Sequence, residues 1–111
     1  MTEPARKYLL DITRALGLIR DFTASTVSFE SYSTDLKTQS AVERQLEIVG
    51  EALKNLRHLA SEVQIHHAKQ SIELHNNLLK DYSSNNNRNV WAYVQNRVAP
   101  LHREVLLLLE H

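Results

Sequence analysis

Ala41-Val42-Glu43-Arg44-Gln45-Leu46-Glu47-Ile48-Val49-Gly50-Glu51-Ala52-Leu53 is the stretch whose reading decides the fold. Val42, Leu46, Val49 and Leu53 recur at alternating four- and three-residue steps, which is the period of one helix face. Leu56 and Ala60 continue the stripe, and Ile48, Ala52 and Leu59 widen it. A stripe that wide predicts a helix buried on two sides, over about residues 35 to 62. Glu43, Glu47 and Glu51 lie one turn apart along the same helix. Gly50 costs roughly 1 kcal/mol of helix propensity relative to alanine, so close approach of another helix is the expected compensation.

Working outward, the same period recurs. Tyr8, Leu9, Ile12, Ala15, Leu16, Ile19 and Phe22 predict a first helix over about residues 4 to 24, with Pro4 in the first turn that tolerates it. The Ser- and Thr-rich run from Ala24 to Thr34 reads as a connector. Ile65, Ala68, Ile72 and Leu79 predict a third helix near residues 64 to 81. Ser83-Ser84-Asn85-Asn86-Asn87 reads as the clearest loop. Val90, Trp91, Val94, Val98, Leu101, Val105 and Leu108 predict a fourth helix, kinked or broken by Pro100 near Ala99. Only two glycines and two prolines punctuate the chain. The expectation is an all-α, antiparallel up-and-down bundle of four main helices in a single domain, residues 1–111.

Composition narrows the function. A chain of 111 residues is one domain. It has no cysteine, which excludes disulfides and thiolate zinc sites and fits a reducing cytoplasm. No apolar run reaches membrane-spanning length, and the N-terminus lacks a signal peptide's apolar region. The ending Leu109-Glu110-His111 has the look of a vector-derived histidine tag's start and is set aside. Acidic and basic side chains number 13 each. Between Gln64 and Arg103, however, Lys69, Lys80, Arg88, Arg97 and Arg103 face only Glu73 and Asp81, with four histidines beside them. That distribution allows either a local anion-binding surface or a solvated mixed face.

The six histidines do not form a metal-ligand pattern. His58, His66 and His67 lack an i, i+4 partner, and the Glu-x-x-His signature of a di-metal bundle is absent. The Glu43–Glu47–Glu51 row is better explained by solvent or by interhelix hydrogen bonds, with Arg44 and Lys54 nearby. No serine elbow or glycine-rich phosphate cradle is present, and no cofactor is expected. What remains is His75, Asn76, Lys80 and Tyr82 at the end of the third helix, followed by Arg88. Metal-free RNA cleavage needs a proton acceptor, a proton donor and a cation; histidine and lysine have the right groups. Yet His75 and Lys80 stand about 140° apart on a regular helix. A helix end or a two-fold interface is needed to bring both to one phosphodiester, and a surface histidine beside a snorkelling lysine is the plainer reading.

The chain resembles the HepT family of the HEPN superfamily of small helical proteins. Tyr8-Leu9-Leu10-Asp11-Ile12, Ile19-Arg20-Asp21-Phe22-Thr23, Ser28-Phe29-Glu30-Ser31-Tyr32 and Asp35 look like its first helix and connector. Glu43, Leu46, Glu47, Gly50, Glu51 and Ala52 match its most distinctive segment, and Tyr82, Val90-Trp91, Val94, Pro100 and Leu101 fall at the expected spacings. The resemblance implies a HEPN-type bundle that commonly dimerises. It also implies a metal-independent endoribonuclease toxin encoded beside a minimal nucleotidyltransferase antitoxin.

Family ribonucleases carry Arg-Asn-x-x-x-His-x-Tyr. Aligned on Tyr82, Asn76 keeps the asparagine, but His75 takes the arginine position and Lys80 the histidine position. Two readings follow. One is a degenerate member with impaired RNA cleavage, surviving as a partner or substrate-binding subunit. The other is an active site in which His75 and Lys80 have exchanged roles. Tyr82 matches the family's AMP acceptor, the plainer alternative being an aromatic that plugs the helix–loop junction, and is expected at the rim of a basic groove with His75, Lys80 and the RNA-binding candidate Arg88. A homodimer is expected, using Leu46, Val49 and Leu53 or the Trp91 face.

Overall fold

The computed structural model describes residues 1–80 and 85–110, apart from the side chains of residues 79, 80 and 85. Six helices follow one another: α1 (Glu3–Phe22), α2 (Phe29–Ser33), α3 (Leu36–Leu59), α4 (Ala68–Lys80), α5 (Asn85–Asn96) and α6 (Val98–Leu109). All regular structure among the described residues is helical, as the periodicity requires, and the arrangement is a HEPN-type helical bundle. Helix α3 lies at its centre, packed against α1, α2 and α4, while α6 closes the other side of α1.

Local chemistry starts the helices where the pattern needs them. The Thr2 hydroxyl accepts the Ala5 N–H at 3.3 Å, Ser28 accepts Ser31 at 3.2 Å, and Asp35 accepts Thr38 at 3.1 Å. Each satisfies a donor that the first turn leaves without a partner. The Ser28 cap produces α2, a short helix inside the run expected to be only a connector. Gln39 on α3 then fastens α2, donating from Nε2 to the Tyr32 carbonyl at 2.8 Å.

The core interleaves Leu9, Ile12, Leu16 and Ile19 of α1 with Val42, Leu46, Val49, Leu53 and Leu56 of α3, and with Val98, Leu101 and Val105 of α6. This corrects one expectation. Leu46, Val49 and Leu53 are interior residues of a single chain and offer nothing to a dimer surface. Trp91 is also partly withdrawn, its ring 5.6 Å from that of Tyr32. The exposed large apolar side chains are others, among them Leu10, Leu106 and Leu107.

Boundaries differ from the pattern, and α4 opens at Ala68, not near residue 64. Asn85, Asn86 and Asn87, read as loop, open α5; Ser83 and Ser84 lie outside the described residues. The final helix does break, but at Arg97, and Pro100 becomes the third residue of α6. A proline there sits in the first turn, where its missing N–H removes no hydrogen bond. Glu104 of α6 ties down the approach to α4, accepting the His66 and His67 N–H groups at 2.6 and 3.1 Å.

Candidate functional site around His75

Helix α4 carries Ala68, Ser71, Ile72 and His75 on its buried side, a spacing of three, four and seven residues that defines one helix face. His75 therefore points inward, only 5% exposed. Its ring meets α3 at Gly50: a β-carbon there would overlap the imidazole and lie 2.7 Å from Nδ1. The glycine inside α3 is thus explained by the close approach of α4, with His75 as the group that needs the space.

The surroundings of this imidazole are mixed in charge. Nε2 lies 3.9 Å from Glu51 Oε2, and Nδ1 is buried without a hydrogen-bond partner. Burial holds the imidazole below its ordinary value of 6.5, Lys54 pushes the same way, and Glu51 and Glu47 oppose them. His75 is accordingly neutral at pH 7. Next to it, Lys54 Nζ donates to Asn76 Oδ1 at 2.6 Å, joining α3 to α4 a second time.

His75 lines a cleft of about 480 Å³ between α1, α3 and α4. Tyr8, Ile48 and Ala52 supply apolar wall, while Asp11, Glu47 and Glu51 face a single cation, Arg44. Lys7 and Arg44 lie 3.1 and 3.3 Å from Asp11 and Glu47. Among the described residues the lining of the His75 cleft is therefore acidic; the basic groove expected with Lys80 and Tyr82 falls on side chains outside the described ones. A phosphodiester would meet repulsion from these carboxylates, partly offset by Lys7 and Arg44.

The other sequence candidates fall as follows. Asn76 adjoins His75 and is engaged by Lys54. Lys80 is the last residue of α4, and its side chain lies outside the described residues, as does Tyr82 altogether. Arg88 stands on the first turn of α5, its guanidinium 4.5 Å above the Phe29 ring of α2, and does not line the His75 cleft. Among the described residues no group of three or more histidine or carboxylate side chains is placed to hold a metal ion, and no helix is long and apolar enough to cross a membrane. Sequence reasoning missed the buried Ser71–Tyr93 hydroxyl pair between α4 and α5, although Ser71 lies on the same stripe as Ile72. It also treated His75 as a surface group, although His75 stands three residues beyond Ile72 on that stripe.

Comparison with known proteins agrees with this architecture. A "Probable ribonuclease HepT" of Thermococcus cleftensis is 48% identical over 56 residues, half of this chain and half of that protein. A "Putative RNase" of Methanocaldococcus jannaschii is 35% identical over 94 residues, 84% of this chain and 77% of the relative. A second protein of that organism, named "Gamma-glutamylcyclotransferase and putative RNase", is 29% identical over 111 residues, which is half of its length. The chain thus spans about half the length of two of these relatives. No solved structure matches it significantly. The family model described as "Ribonuclease HepT-like" matches residues 12–108, and the chain belongs to that family, within the HEPN superfamily.

Proposed function

We propose that this chain is the toxin-type half of a toxin–antitoxin pair with a minimal nucleotidyltransferase, and that its own RNA cleavage is impaired. The observation carrying this reading is the state of His75. It occupies the position of the family's arginine as a buried, neutral imidazole wedged onto Gly50. A guanidinium is charged at every accessible pH and can balance the charge that develops on a phosphorane; a neutral imidazole in an acidic cleft cannot. The names of the relatives, two HepT-type or RNase proteins and one RNase fusion, support RNA as the class of target.

A homodimer is the minimal unit in this reading, because positions 75 and 80 diverge by about 140° on a regular helix and a second copy would bring both to one scissile bond. Partnership with the nucleotidyltransferase rests on Tyr82, the position of the family's AMP acceptor. Incubation with a minimal nucleotidyltransferase and ATP should add AMP to the wild type, read by intact mass, and leave Tyr82→Phe unlabelled. Equal labelling of both would remove Tyr82 from the account.

The exchanged-role reading has one observation in its favour: a neutral imidazole is the form that accepts a proton. It requires robust metal-independent cleavage by the wild type that His75→Ala abolishes. Feeble cleavage by the wild type, unchanged in His75→Ala, is the result expected here.

A further inference from the structure

Helix α4 has a second lined face. Opposite the His75 cleft, α4 and α5 enclose a groove of about 420 Å³ whose polar lining is unusual for its carboxamides: Gln70 and Asn77 from α4, Asn89 and Asn96 from α5, with Arg97 at one end. Tyr93 closes part of the groove, its hydroxyl already hydrogen-bonded to Ser71. Asn96 donates Nδ2 to the Ala92 carbonyl at 2.9 Å, leaving its oxygen as an acceptor. Glu73, also at the groove, is 3.9 Å from Lys69. Gln70 Oε1 is buried with no hydrogen-bond partner.

Four carboxamides in one groove have a specific chemical meaning. The exposed Asn77 and Asn89 each carry an acceptor and a donor side by side, the pattern that complements the edge of a nucleobase, adenine N6 and N7 above all. In duplex RNA that edge lies in a groove too deep and narrow for side chains, so only unpaired nucleotides can offer it. We propose that the α4–α5 groove binds unpaired RNA by its base edges, with Arg97 against a neighbouring phosphate. This rests on the RNA-directed reading above. It separates RNA recognition from the acidic cleft of His75, on the other flank of the same helix. Since one arginine is the groove's only cation among the described residues, base edges carry the affinity and the salt dependence is shallow, near one phosphate contact.

Fluorescence anisotropy of the full chain with a short labelled oligoadenylate, an abasic strand of equal length and an RNA duplex tests this. The wild type should bind the oligoadenylate roughly tenfold tighter than the abasic strand, and the duplex no better than the latter. Asn77→Leu combined with Asn89→Leu, two exposed positions, should erase that margin; Arg97→Gln should weaken both single strands alike. Asn89→Asp, which keeps shape and replaces the donor, is the second variant should the double change unfold, as circular dichroism would reveal. If the wild type binds and these variants bind equally well, the groove is wrong while the RNA-directed reading stands. If the wild type binds no unpaired RNA, both fall.

Discussion

The His75 imidazole occupies the space that a β-carbon on Gly50 would need. That relationship fixes the spacing of α3 and α4 and gives a direct stability test. Gly50→Ala should gain about 1 kcal/mol of helix propensity but lose more to overlap with the ring, whose Cβ and Cγ are pinned by the backbone of α4. The expected net is a loss of about 1–2 kcal/mol, seen as a melting temperature several degrees lower. Adding His75→Ala should recover only part of it, because the β-carbon of residue 75, itself in the overlap, remains. A Gly50→Ala protein more stable than the wild type would show that the two helices separate at little cost.

Acid should weaken the fold through its histidines. Burial lowers the His75 value, with Lys54 adding to it, and burial lowers that of His102, with Arg20 adding to it. For a group whose folded value is depressed, the unfolded chain binds the proton first. The stability is therefore intact above the ordinary value of 6.5 and is lost as pH falls through the folded values. Chemical denaturation between pH 7 and 5 should show this decline, and His75→Gln should flatten part of it. Glu43, raised by burial and by Glu47, has the opposite sign, and its effect is confined to the carboxylate range. A flat profile from pH 7 to 5 would contradict the buried, neutral state of His75.

Lys54 acts on two neighbours at once. Its ammonium holds Asn76 at 2.6 Å and disfavours protonation of His75. Lys54→Met should cost about 1 kcal/mol for the lost hydrogen bond while moving the His75 titration, followed by NMR, upward toward 6.5. An unmoved titration would mean that burial alone sets it.

Glu104 accepts two backbone N–H groups ahead of α4. Charge-assisted bonds of this kind are worth more than neutral ones, so Glu104→Ala should cost about 1–3 kcal/mol. It should also speed hydrogen exchange at the His66 and His67 amides in particular. Uniform exchange changes across the chain would point to a general loss of packing instead.

The helices and their core faces were legible in the sequence because the apolar period of α1, α3 and α6 is uninterrupted, and packing follows it. Gly50 announced a close approach for the same reason: nothing else offsets its propensity cost. The misses have local causes. Five residues of α2 leave too little pattern to see, and only the Ser28 cap marks its start. The asparagines 85–87 suit turns by propensity, yet open α5 because burial of Val90 and Tyr93 downstream favours the helix. Leu46, Val49 and Leu53 looked like surplus apolar surface because a single helix does not reveal that α1 and α4 both pack upon it. The site was legible as a set of residue types, but not in its electrostatics: Glu51 and Glu47 act on His75 only because α4 packs on α3, and α1, far away in sequence, brings Asp11 to the cleft.

The most direct measurement is RNA cleavage by the chain carrying His75→Arg together with Lys80→His, beside the wild type, without added metal. These changes restore a permanently charged guanidinium and a near-neutral base to a helix that keeps Asn76 and the supporting α3 segment. The account predicts little cleavage by the wild type and clear cleavage, with cell toxicity, by the double variant. Robust cleavage by the wild type that the double variant fails to improve would contradict it.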